Sequence, residues 1–143
     1  MPFQKLVNGF RVQPRKLFLI DGAGALLTAA MNILLIRFEE YIGMPVGMLY
    51  YLLAAAVTFA FFSFVCYCTN PANPSLPLKI VAIVNALYCL TTLLLVLVFY
   101  ERLRIIGLAY FSVEIVVMTL LIGMEWTTAK AIMSPNTGGV SNL

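Results

Sequence analysis

The chain has 143 residues, of which 62% are hydrophobic and only 10% charged, and its mean hydropathy is +0.98. That balance excludes a soluble domain of this size. The net charge of +3 is too small for a nucleic-acid footprint, and a chain without His lacks the commonest acid-base and metal-ligating side chain.

A helical span needs about 20 apolar residues, and four such runs, 17–36, 48–68, 78–100 and 105–124, fill most of the sequence. The expected fold is an all-α membrane protein whose four transmembrane helices form two antiparallel hairpins. The expected division is a cytoplasmic N-terminal segment at 1–16, a four-helix transmembrane domain at 17–128 and a cytoplasmic tail at 129–143.

Phe3, Leu6 and Phe10 fall on one face between basic residues and read as a short amphipathic piece on the inner leaflet. A secretory signal is the competing reading. The apolar run that follows is too long for one and passes straight into Arg37, Phe38 and Glu39 without a small-residue cleavage site. The run is therefore expected to be retained.

In the first span Asp21, Ala25, Thr28, Asn32, Leu35 and Glu39 recur at steps of four and three, which puts them on one helical face. A helix showing Asp, Thr and Asn to hydrocarbon is costly, so this stripe is expected to face other helices. Asp21 sits near the inner end, either stabilised by the helix N-terminus and paired with Lys79 or serving a transport path. Asn32 is expected to make an interhelical hydrogen bond.

The segment EEYIGMPVG predicts an outer turn through Gly43, Pro45 and Gly47, with Tyr41, Tyr50 and Tyr51 in the interfacial aromatic belt. The second span ends in Cys66-Tyr67-Cys68. A Cys-x-Cys pair suits a soft metal or thiol exchange. With no His and with Cys89 in mid-span, all three thiols are instead expected to be small buried hydrophobes, with no metal site.

Three prolines in TNPANPSLP predict an extended inner loop over 69–77. The third span then carries Asn85, Tyr88 and Thr92 in a second polar stripe, and the depth of Asn85 predicts a contact with Asp21. In the fourth span Glu114 lies about 13 Å from the outer end, close to the midplane. Tyr110, one turn earlier, and Thr28 or Asn32 on the first helix are its expected partners. Two readings stand for Glu114: a protonated acid joining helices, or a proton or ligand site. Glu125 and Trp126 are expected at the inner interface.

Lys5, Arg11, Arg15, Lys16, Lys79 and Lys130 fall on one side and Arg37, Arg102 and Arg104 on the other, which predicts both termini inside. A shift of about sixty residues aligns Ala25-Leu26, Leu34, Phe38 and Glu40 with Ala86-Leu87, Leu95, Phe99 and Glu101. Parallel repeats of two spans each predict a pseudo-twofold bundle with Glu39, Glu40 and Glu101 on the outer rim.

The segments FLIDGAGAL, RFEEYIGMP and FVCYC resemble a family of small four-span bacterial inner-membrane proteins. The resemblance implies fold and location and carries no activity.

No Ser-His-Asp set, phosphate-cradling glycine loop or haem-ligand spacing is legible. The expected function is a non-enzymatic binding or assembly module or accessory subunit, without cofactor. Its expected partners are the bilayer and a second copy or another membrane protein. The alternative is a proton-coupled carrier working through Glu114.

Overall fold

A computed structural model gives the fold, and it describes residues 14–133 together with Lys5 and Gly9. The expected amphipathic piece around Phe3, Leu6 and Phe10, and the tail from residue 134 onward, lie outside the described residues. Over residues 14–133 five helices follow in order: α1 (Pro14–Arg37), α2 (Glu39–Ile42), α3 (Val46–Thr69), α4 (Ser75–Val98) and α5 (Ile105–Met133). All except the one-turn α2 are long and apolar enough to cross a membrane.

Local chemistry sets the ends. Pro14 opens α1, where the ring costs no hydrogen bond. Asn70 closes α3 in the left-handed conformation, its N–H bonded to the Cys66 carbonyl. The expected extended loop is shorter than its prolines suggested, because α4 begins at Ser75 with Pro77 inside its first turn. The first four N–H groups of a helix have no partner within it, so a proline there removes nothing. The fourth span also overruns its expected end, since the helix continues to Met133.

Packing is inverted relative to a soluble protein. Asp21, Asn32, Ser63, Asn85, Thr92 and Glu125 are buried, while Leu26, Leu27, Phe61, Leu97 and Ile105 are exposed. Such a surface is stable only against lipid, and the chain is a multi-pass integral membrane helix bundle.

Within the bundle α1 packs along α3 and α4 along α5, while lighter contacts join α3 to α4 and α1 to α5. Exchanging the hairpins maps this pattern onto itself, in keeping with the expected two-hairpin bundle. At one end of the bundle the two turns clasp each other. The Arg104 N–H donates to the Ile42 carbonyl at 3.0 Å, and Gly43 stands against the backbone of Arg102 in a left-handed conformation with φ of 84°. Glu39, Glu40 and Glu101 are exposed on these turns, together with Tyr41, Tyr50 and Tyr51 near the same end.

At the opposite end Arg15 lies over the Tyr67 ring, 4.3 Å from its centroid, and donates to the Tyr67 carbonyl at 3.0 Å. The three thiols are free. Cys66 is buried and Cys89 half-buried, but Cys68 is exposed, which corrects the expectation for that residue. Two positions past Cys66, a side chain on a helix turns through about 200° and leaves the core.

Candidate functional site

Each of the four long helices delivers one polar side chain to a single buried point. Asp21 comes from α1, Ser63 from α3, Asn85 from α4 and Glu125 from α5. Ser63 Oγ donates a short hydrogen bond to Asp21 Oδ2, and Asn85 Nδ2 donates to Asp21 Oδ1 at 2.7 Å. The same nitrogen stands 3.2 Å from both Glu125 oxygens. Two carboxyl groups thus share one amide.

The predicted contact between Asp21 and Asn85 is present. Lys79 is not the partner of Asp21: its Nζ lies over the Trp126 ring at 6.0 Å, and Lys130 Nζ lies over the same ring at 5.6 Å. Ser63 and Asn85 each donate to one oxygen of the Asp21 carboxyl instead.

Glu125 is the residue whose place sequence reasoning missed. It is fully buried, whereas Trp126 beside it is partly exposed between the two lysines. Successive helical residues diverge by about 100°, so the two cannot share an environment. A signal was present. Phe111, Glu114, Met118, Leu121, Glu125 and Thr128 recur at steps of three and four, but the stripe is visible only if the span is carried past Met124.

A second acidic level lies further along α5. Tyr88 Oη donates to Glu114 Oε1 at 3.2 Å, so the expected partner on α1 is replaced by a tyrosine on α4. Tyr110, half-buried one turn before Glu114, faces the same carboxyl. Asn32 turns its amide to the Thr28 carbonyl of its own helix, 3.0 Å away, where an interhelical bond was expected. Its side chain adjoins Tyr88. Glu114 and Glu125 are eleven residues apart, about 16 Å along the helix.

One cavity, of about 450 Å³, lies on the apolar outside of α1 and α3 between Phe18 and Phe61, and three others follow the α3–α4 seam and the bundle centre behind it. An inner slot of about 210 Å³ has Asp21, Ser63 and Asn85 on its floor and Phe62 and Ile80 exposed at its rim. An outer slot of about 390 Å³ reaches Tyr88. Between them a chamber of about 10 Å³ touches Asp21, Thr28, Asn85 and Tyr88. Phe59 borders all three spaces and meets the Tyr88 ring edge-on, 5.9 Å between centroids.

None of these spaces is lined by Glu114 itself. Among the described residues no group of three His, Cys, Asp or Glu is placed to hold a metal ion.

No protein-family model matches the chain, and neither the curated proteins nor the solved structures give a match. The site therefore rests on its own geometry.

Proposed function

We propose that the chain is a non-enzymatic intramembrane binding module that receives an amphiphile sideways from the bilayer, through the α3–α4 seam, onto the cluster of Asp21, Ser63, Asn85 and Glu125. One observation carries the reading: the inner slot opens on the lipid-facing side through an apolar surface, and the buried Asp21, Ser63 and Asn85 side chains stand directly behind it. An apolar cleft with a few convergent polar groups is the usual form of a small-molecule site. The Ser63 hydroxyl meets only a carboxylate, and the chain has no His to activate it, which favours binding over catalysis.

The module is placed in the bacterial inner membrane with both termini cytoplasmic, on the strength of the Lys and Arg asymmetry. The exposed outer rim, with Glu39, Glu40 and Glu101, is available to a second copy or to a membrane-protein partner.

A carrier working through Glu114 is the second reading, favoured by one observation. Glu114 Oε2 is buried and accepts no hydrogen bond, which leaves a free position for a proton or ligand.

Native mass spectrometry of protein released from its own membranes tests the module. A small-molecule adduct is expected on the native chain and not on Val84→Trp, which fills the inner slot from α4 and leaves all four polar side chains of the cluster in the sequence. Adduct-free native protein that also binds no added amphiphile would remove the reading.

A further inference from the structure

We infer that the end of the bundle opposite the clasp carries a headgroup site for an anionic phospholipid, with its phosphate between Lys79 and Lys130 beside Trp126 and an acyl chain along the lipid-facing side of α4.

The side chains converge from two helices. α4 and α5 pack along each other, with Lys79 four residues past the start of one and Lys130 three residues before the end of the other, so both lie within about 6 Å of the same end. Lys79 Nζ and Lys130 Nζ stand 6.0 and 5.6 Å from the centre of the Trp126 ring. The indole offsets part of the repulsion between two ammonium groups gathered at one side chain. An anion shared between them offsets the rest.

Charge decides what can lie there. The chain has six acidic side chains. Glu39, Glu40 and Glu101 are exposed at the clasp end, Glu114 is buried against Tyr88, and Asp21 and Glu125 are buried against Ser63 and Asn85. Among the described residues no exposed acid therefore faces Lys79 or Lys130, and Arg15 and Lys16 add positive charge to the same end. A phosphodiester meets two donors of complementary charge, whereas the ammonium of a zwitterionic headgroup finds no carboxylate and meets like charge.

A lipid also needs room for its chains. Ile83, Ala86 and Leu90 follow Lys79 at one, two and three turns along α4 and are exposed. Gly123, one turn before Trp126 on α5, leaves open space where a side chain would stand. Tryptophan favours the level between headgroups and acyl chains. The inner slot is separate, since neither lysine nor Trp126 lines it.

Trp126 is the chain's only tryptophan, so it reports its own site. The test is quenching of its fluorescence in the purified full chain, in neutral-detergent micelles, by phosphatidylglycerol and by phosphatidylcholine carrying the same brominated chains. Phosphatidylglycerol is expected to reach half-quenching at a mole fraction about tenfold lower, and raised salt should narrow the gap. Lys79→Gln combined with Lys130→Gln should bring the two lipids level. Lys5→Gln combined with Lys16→Gln removes equal charge from the segment leading into α1 and should leave the preference nearly unchanged.

Equal quenching by both lipids on the native chain overturns the inference, and so does an unchanged preference when Lys79 and Lys130 are both replaced. An equal fall when Lys5 and Lys16 are replaced shows attraction to net charge without a site, which overturns it as well. Should the Lys79 and Lys130 double variant not fold, Lys130→Gln alone, at an exposed position, is expected to lower the preference, and no loss ends the inference. In native mass spectra a phospholipid at this site should remain on Val84→Trp while the slot's adduct is lost; loss of the phospholipid there would place it in the slot and overturn the site.

Discussion

Asn85 Nδ2 lies 2.7 Å from Asp21 Oδ1, and this bond joins the opening helix of one hairpin to the opening helix of the other. The same nitrogen also reaches Glu125, so one amide offsets two buried carboxyl groups. Interhelical hydrogen bonds within membranes average only about 0.6 kcal/mol. Leaving a buried carboxyl without its donor costs more, about 3 kcal/mol.

Asn85→Leu is therefore expected to lower bundle stability by about 2–4 kcal/mol. Thr92→Val on the same stripe should lose less than about 1 kcal/mol, because the Thr92 hydroxyl bonds only to the Tyr88 carbonyl of its own helix. Reversible unfolding in mixed micelles measures both. Equal losses would show that Asn85 holds no more than a local bond.

Much of this arrangement is legible in the sequence, for a physical reason. In a chain this apolar the polar residues are few, and the penalty for showing them to lipid forces their spacing into register with the helical period. Asp21 with Asn32, and Asn85 with Tyr88 and Thr92, were readable on that ground, and so was the contact between the two stripes. Glu125 was not, because a carboxyl beside Trp126 near a span end reads as interfacial until the helix is known to continue to Met133. Ser63 was unreadable for a different reason: a serine bonds its own helix at no cost, so its direction across the bundle depends on packing. The repeat shapes the scaffold and not the site, since a shift of 61 sets Asp21 against Ala82.

Tyr88 and Glu114 form the second polar pair, and its chemistry separates acceptor from charge. Glu114→Gln keeps a carbonyl-type oxygen for the Tyr88 hydroxyl and is expected to leave stability within about 1 kcal/mol. Glu114→Leu removes the acceptor. A double-mutant cycle with Tyr88→Phe should give a coupling of about 1 kcal/mol for the Leu series and little for the Gln series. Severe loss of folded protein in Glu114→Gln would show that the acid itself is structural.

The outer clasp distinguishes glycines by where they sit. Gly43 needs a positive φ, and a side chain there would run into the Arg102 carbonyl; one on Gly107 would meet the Ile42 carbonyl. Alanine at either position should cost about 1–3 kcal/mol. Gly47 has open space around it and lies in the first turn of α3, so Gly47→Ala should be neutral or stabilising by up to about 1 kcal/mol. Thermal unfolding of the three variants checks the contrast, and a loss in Gly47→Ala comparable to the other two would mean that the clasp is not what selects glycine.

Topology gives a prediction that needs no ligand. Glu40 and Glu101 are exposed on the two clasped turns, and Asn73 is exposed on the loop between α3 and α4 at the other end. With Cys66, Cys68 and Cys89 replaced by alanine, single cysteines at 40, 73 and 101 report the sides of the membrane. A membrane-impermeant maleimide is expected to label 40 and 101 in cells whose inner membrane is intact, and 73 only after that membrane is opened. Labelling of 73 alone would reverse the orientation drawn from the Lys and Arg distribution. Labelling of 40 and 101 from opposite sides would break the two-hairpin bundle itself, because the clasp through Ile42 and Arg104 requires both turns on one side.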